Sequence, residues 1–248
     1  MTIEVPDDHP RSESLHTRHQ IEDGVDAGLT HKQGLIAEGR GEAFDYLLGE
    51  RTIPSADRAE RAAAAHLLRA DHPVLSINGN AAALVPDEIV GLADTTGATI
   101  EVNLFNRTDE RIAAIADHLQ NHGATDVKGR SADARIPGLT SERAKVAADG
   151  IHAADVVLVP LEDGDRAEAL GAMGKTEIVV DLNPLSRSPQ VAAVPVVDNL
   201  VRAIPNITAH ARELANRSDD ERERAIDVFD REAALDAAEA AIRSGEFD

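Results

Sequence analysis

Five short polar runs in this chain combine side-chain amides, carboxylates and arginines in a way that suits an anionic ligand. They are Asn78-Gly79-Asn80, Asn103 to Arg107, Glu162 to Arg166, Asp181 to Ser188 and Asp198 to Arg202. Each ends or follows a short apolar stretch. Arginine forks bind phosphates and carboxylates bidentately. A glycine at a strand–helix turn lets backbone N–H groups approach an anion. Arginines recur in these runs although the chain carries 45 acidic and only 25 basic side chains. That recurrence favours a phosphate-bearing ligand, with Asp163, Asp181 or Asp198 available for Mg2+ or a ribose hydroxyl. Many of the other polar residues have an ordinary alternative role as helix caps and turn formers.

The elements around these runs alternate regularly. Helices are expected over 12–28, over 31–48 with an interruption at Gly39 and Gly41, and over 56–70 behind Pro54-Ser55. Strands are then expected at 73–77, 99–104, 126–129, 155–160, 177–181 and 191–197. Helices should fill the intervals: 81–93 broken at Pro86, 108–121, 141–152 and 166–173. Two more are expected over 200–216 and 221–244. Short apolar strands alternating with longer helices imply right-handed βαβ units. The fold class is α/β: a Rossmann-like, mostly parallel sheet with helices on both faces and an N-terminal helical extension. One domain is expected, with the extension over 1–71, the core over 72–216 and a charged C-terminal helix over 217–248. Ligands of such sheets bind outside the carboxyl ends of the strands, where the five polar runs fall.

Several chemistries lose support. The chain has no cysteine, which excludes disulfides, thiolate metal sites and cysteine nucleophiles. A formal net charge of -20 argues against a nucleic-acid partner. No apolar stretch is long enough to cross a membrane, and Met1 to His9 does not read as a signal peptide, so a cytoplasmic protein is expected. Gly171 to Thr176 resembles the end of a phosphate-binding loop, but it lacks the first glycine and precedes a strand. Asn78-Gly79-Asn80 is not the glycine fingerprint of an oxidoreductase, although a non-catalytic nucleotide sensor would fit the pattern. His9, His16 and His19 cluster without a convincing third metal ligand. Arg40, between Gly39 and Gly41, either marks a helix break or reaches a ligand past small neighbours.

Longer stretches carry a resemblance. They include His9-Pro10-Arg11, Gly34 to Tyr46, Gly49 to Ile53, Asn78 to Pro86 and Ile136 to Leu139. They continue with Val159 to Arg166, Val180 to Ser188 and Val197 to Arg202. Together the chain resembles the archaeal phosphopantothenate synthetases, also called 4-phosphopantoate–β-alanine ligases. The resemblance implies a homodimer in coenzyme A biosynthesis that joins 4-phosphopantoate to β-alanine. ATP would be consumed and AMP and pyrophosphate released, through an acyl adenylate. It also implies ATP contacts at Arg18, Arg40, Asp181, Leu182, Asn183, Ser186, Arg187, Asp198 and Asn199. Arg40 and Arg187 are expected on phosphates. Arg107, Arg166 and Arg202 are candidates for the substrate phosphate or carboxylates, or else for surface ion pairs. Asn78, Gly79 and Asn80 are candidates for phosphopantoate.

The charge has its own reading. Four lysines stand against twenty-one arginines, and aromatic residues are 2%. Repulsion within so acidic a fold is screened over roughly 3 Å at 1 M salt, which predicts a host with molar cytoplasmic salt, as in halophilic archaea.

Overall fold

The computed structural model describes residue 6 and residues 9–161 and 163–245. Its frame is a six-stranded parallel sheet of β1 (Pro73–Ile77), β2 (Thr99–Val102), β3 (Val127–Lys128), β6 (Val156–Pro160), β7 (Thr176–Val180) and β8 (Val194–Val196). A two-stranded ribbon, β4 (Ala134–Arg135) with β5 (Lys145–Val146), stands apart. The sheet order is β3-β2-β1-β6-β7-β8. The chain winds outward from β1 and then returns to its other side, the Rossmann order.

Alternate strand residues are buried on opposite faces, as a sheet covered on both sides requires. Leu75, Ile77, Leu158 and Ile178 face a core built with α3 (Pro54–Arg69), α5 (Pro86–Thr96), α6 (Asp109–Asn121) and α9 (Leu200–Ala215). Val74, Val157 and Val159 face the other way, toward Ile136, Val146, Ile151 and Leu170 of α7 (Gly164–Ala172). A third apolar cluster joins Phe44 and Leu48 to Val197 and to Leu235 and Ala238 of α11 (Arg231–Ser244). The extension, α1 (Ser12–Asp26) and α2 (Lys32–Leu48), packs on α4 (Gly79–Leu84) at the C-terminal edge of the sheet.

Four expectations change. First, α2 runs unbroken through Gly39 and Gly41. Second, residues 141–152 form a 3-10 turn (Glu142–Ala144), β5 and further turns in place of a helix. Side chains from the end of β2 explain this. Glu101 accepts hydrogen bonds from the amides of Ala147 (2.9 Å) and Ile151 (2.6 Å), and Asn103 Nδ2 donates to the carbonyls of Arg143 and Lys145. Buried tertiary partners thus satisfy backbone groups that a helix would have paired. Third, 221–244 divides into α10 (Asp219–Asp227) and α11, where Asp230 caps the second helix through the Ala233 amide. Fourth, residue 191 ends a short helix, α8 (Arg187–Val191), and the strand begins only at Val194.

Candidate functional site

The sheet order reverses between β1 and β6, and a cleft of about 280 Å³ opens there. Asn78 ties its two walls together. The Asn78 Oδ1 caps α4 by accepting from the Ala81 amide (3.0 Å), while Nδ2 donates to the Pro160 carbonyl at the end of β6 (2.7 Å). Leu161, next in the chain, has φ of 58°, the only positive value among the described non-glycine residues. Such strain persists where surrounding structure enforces it, and it concentrates at ligand sites.

The extension roofs this cleft. Thr30 Oγ1 donates to Asn80 Oδ1, and Asn80 Nδ2 donates to the Gly34 carbonyl (2.9 Å). A Cβ at Gly34 would lie 2.3 Å from both Thr30 Oγ1 and Asn80 Oδ1, and one at Gly79 would lie 2.3 Å from the Leu29 carbonyl. Both glycines are therefore demanded by close approach. Asn78 and Asn80, expected as substrate ligands, use their side-chain amides to join the extension and both strands.

Three arginines line the cleft. Arg40 is exposed, and its guanidinium makes no hydrogen bond or ion pair among the described residues. Arg111 donates to the carbonyls of Asn106 (2.6 Å) and Leu29 (3.0 Å), and its buried Nε has no partner among the described residues. Arg143 is buried and donates to Asn103 Oδ1 (3.3 Å) and Asp163 Oδ2 (3.1 Å). Arg111 and Arg143 were missed in the sequence. Arg111 and Arg143 fell within the helices expected over 108–121 and 141–152, outside the five polar runs. The spacing of Arg111, three residues after the cap Thr108 at a strand end, is the signal that was available.

A second groove of about 660 Å³ adjoins the first and shares Phe105 and Asp163 with it. Arg187 lines it, half exposed, pairing with Asp165 and more distantly with Glu168 (3.7 Å). The neighbouring loop is closed on itself. Asp181 Oδ1 accepts from the amides of Leu182 (2.7 Å) and Asn183 (3.3 Å), and Oδ2 accepts from Ser186 Oγ (2.9 Å). Asn183 Oδ1 in turn accepts from the Leu185 amide (3.0 Å). Glu162 lies outside the described residues.

Asp198 and Asn199, after β8, are bound to the extension. Asp198 Oδ2 accepts from Thr52 Oγ1 (2.6 Å), and Oδ1 accepts from the Asn199 amide (2.7 Å) and Arg202 Nη2 (2.8 Å). Asn199 Nδ2 donates to Asp45 Oδ2 (3.0 Å) beside Gly41, where a Cβ would stand 3.0 Å from that nitrogen. Burial pushes the Asp198 carboxyl above the ordinary range despite the adjacent Arg202 guanidinium. Glu13, Thr52 and Asp45 are not singled out by any local pattern, because their partners are distant in the chain.

Arg202 and Arg166 prove to be internal. Arg202 is clamped by Glu13, Asp45 (2.6 Å) and Asp198 (2.8 Å), an ion-pair hub that matches the ion-pair alternative but lies inside the fold instead of at the surface. Three carboxylates hold its pKa above the usual arginine value although burial opposes this. Arg166 is 1% exposed and donates to Ser76 Oγ (2.8 Å) on β1. Arg107 donates to the Gly129 carbonyl (2.6 Å), joining the ends of β2 and β3. Arg18 pairs with Glu42 at the surface (2.6 and 2.8 Å), where Arg11 and Tyr46 also meet that carboxylate.

One more carboxyl stands out on α2. Burial pushes Glu38 up to about 7, reinforced by the charges of Asp45, Glu42 and Glu13 and opposed by a hydrogen bond with Thr17. It lies beside the line of Gly41 and Asn199. No described helix is long and apolar enough to cross a membrane.

Known proteins share this arrangement of sequence. The family described as phosphopantothenate/pantothenate synthetase matches residues 55–245. A Methanosarcina mazei protein named 4-phosphopantoate–β-alanine ligase is 52% identical, over 97% of this chain and 94% of its own. A protein of the same name from Thermococcus kodakarensis is 52% identical, over 92% of this chain and 88% of its own. Another, from Methanospirillum hungatei, is 54% identical, over 85% of this chain and 86% of its own. With a profile match across most of its length and such identity to several relatives, the chain belongs to the phosphopantothenate/pantothenate synthetase family.

Proposed function

We propose that this chain condenses 4-phosphopantoate with β-alanine at the expense of ATP, releasing AMP and pyrophosphate. The reading agrees with the names of its relatives. The observation that carries it is the arginine set of the cleft between β1 and β6, where Arg40 has no partner among the described residues and Arg111 and Arg143 stand close by. A phosphorylated carboxylic acid is a multiply charged anion, and guanidinium forks suit both of its charged ends.

In this reading ATP lies along the ends of β7 and β8. Asp181, Leu182, Asn183, Ser186, Asp198 and Asn199 would shape the nucleoside side, with Arg18 supporting from α1. Arg40 and Arg187 would meet the phosphates from opposite sides, and the cleft beside Arg111 and Arg143 would hold phosphopantoate. The substrate carboxylate attacks the α-phosphorus, forming a new oxygen–phosphorus bond as pyrophosphate departs. The β-alanine amine then attacks the acyl carbon, the bond from that carbon to the adenylate oxygen breaks, and AMP leaves. The amine loses a proton as the amide forms. Positioning and stabilisation of growing negative charge are what the site must supply.

Mg2+ takes oxygen ligands and commonly joins one or two carboxylates to substrate phosphates. Asp181 fits that chemistry, since it is partly exposed and its oxygens accept only neutral hydrogen bonds. Asp198 fits poorly, because Thr52 and Arg202 already engage both oxygens. Bound with ATP, the cation would offset phosphate charge. A homodimer and a cytoplasmic location complete the reading. The outward side of α2 exposes Ile36 (74%) and Leu47 (54%), apolar groups that a second copy would cover.

The test is to incubate purified protein in concentrated KCl with ATP, Mg2+, 4-phosphopantoate and β-alanine. AMP that forms only when both substrates are present supports the proposal. No AMP, or ADP in its place, overturns it.

A further inference from the structure

Away from the strand ends, Asp57 and Glu60 of α3 and His210 of α9 face one another with their ligand atoms within 4.8 Å. Asp57 and Glu60 share one side of α3, being three residues apart. His210 Nε2 already lies 2.9 Å from Asp57 Oδ1. Glu60 is wholly buried: its Oε2 accepts from Asn206 Nδ2 (3.1 Å), while its Oε1 has no hydrogen-bond partner among the described residues. A buried carboxyl oxygen left without a partner is costly, and a cation is one way to satisfy it.

We propose that Asp57, Glu60 and His210 form a binding site for a divalent transition-metal ion of the Zn2+ type. The donor set is one imidazole nitrogen and two carboxylates. Mg2+ and Ca2+ favour oxygen alone, whereas a mixed set of this kind suits Zn2+ and its neighbours. Three protein ligands leave a fourth, tetrahedral position for water. Tetrahedral bonds of about 2.0–2.2 Å set ligand atoms roughly 3.4 Å apart, so the His210–Asp57 contact of 2.9 Å would open by about half an ångström, within reach of side-chain adjustment. A supporting contact of the kind a metal ligand needs is present, because Asn206 Nδ2 donates to the Glu60 carboxylate at Oε2. Entry is open from the Asp57 side, whose side chain is 59% exposed.

The site is also wired to the strand ends. Asn206 Nδ2 donates both to Glu60 and to Thr52 Oγ1 (2.9 Å), and Thr52 Oγ1 donates to Asp198. A cation fixed on Glu60 would therefore stiffen the hydrogen-bonded chain that ends on Asp198.

The experiment titrates metal-free full-length protein with Co2+ and follows its visible d–d absorption, with Zn2+ competition as a second readout. One equivalent should bind with the intense spectrum of a four-coordinate site, and Zn2+ should displace it. His210→Gln and Asp57→Asn should each weaken binding at least about tenfold, while His152→Gln, an exposed histidine elsewhere, should leave it intact. Zn2+ should raise the melting temperature of the wild type and not that of His210→Gln. Absence of binding, or binding unchanged in His210→Gln, overturns the proposal.

Discussion

Thr52 Oγ1 donates a 2.6 Å hydrogen bond to Asp198 Oδ2, joining residues 146 positions apart in the chain. The bond links the segment before α3 to the end of β8. With the pairs Asp45–Arg202 and Asp45–Asn199, it makes the N-terminal extension a structural part of the strand-end site. The order of the loop after β8 therefore depends on residues outside the Rossmann core.

Thr52→Val keeps the shape of the side chain but leaves Asp198 Oδ2 without its donor. Loss of a partner to a buried group costs about 1–3 kcal/mol. Denaturant unfolding should register that loss, and Thr52→Ser, which retains the hydroxyl, should recover most of it. Activity should fall with Thr52→Val even at temperatures where the variant is fully folded.

Arg202→Met removes the cation shared by Glu13, Asp45 and Asp198. Truncating one side of a buried ion pair costs about 3–5 kcal/mol, because the remaining charges stay buried. The variant should melt well below the wild type. A melting temperature within a degree or two of wild type would contradict the role of Arg202 as a structural hub.

Arg40→Ala should behave in the opposite way. Its guanidinium has no protein partner among the described residues, so stability should hardly change. Removing one preorganised charge donor from a reaction typically costs about 10²–10³-fold in rate, and AMP formation should drop by that order. Arg187→Ala should also depress turnover.

Glu38 provides a pH signature. Its pKa is raised to about 7 by burial and neighbouring carboxylates. A raised carboxyl contributes stability in full below its unfolded value and loses it as pH climbs through the folded one. Glu38→Gln should therefore match wild type near pH 4 and exceed it near pH 8. The gain should be about 1–2 kcal/mol, below what the whole shift implies because the side chain is partly solvated. Equal stability at pH 8 would contradict the burial of a charged carboxylate there.

The charge of -20 makes a prediction about salt. We propose that the protein is adapted to molar salt, where repulsion among its acidic side chains is screened. Thermal unfolding should shift upward steeply between low and molar KCl. An unchanged melting temperature would leave the acidity without that explanation.

Much of this fold was legible in residue patterns. The strand 73–77 and the break at Pro86 were read correctly, and so was the helix capped by Thr108, because apolar runs, proline and capping residues act locally. The segment 141–152 was misread because its backbone is satisfied by Glu101 and Asn103, partners some forty or more residues away. Distance in the chain also governs the site. Arg40 was singled out from its flanking glycines, and it lines the cleft. Arg202 sits in a polar strand-end run like the others, and only the fold reveals that Glu13 and Asp45 converge on it. A local pattern can nominate an arginine, but its freedom to meet a ligand is decided by which carboxylates the fold brings near.

The most direct test of the proposed chemistry follows the oxygen atoms of the substrate. 4-Phosphopantoate labelled with heavy oxygen in its carboxylate should be turned over with ATP and β-alanine, and the products weighed by mass spectrometry. Attack of the carboxylate on the α-phosphorus predicts one labelled oxygen in AMP and none in pyrophosphate. Unlabelled AMP, or label in inorganic phosphate accompanied by ADP, would contradict the acyl-adenylate route.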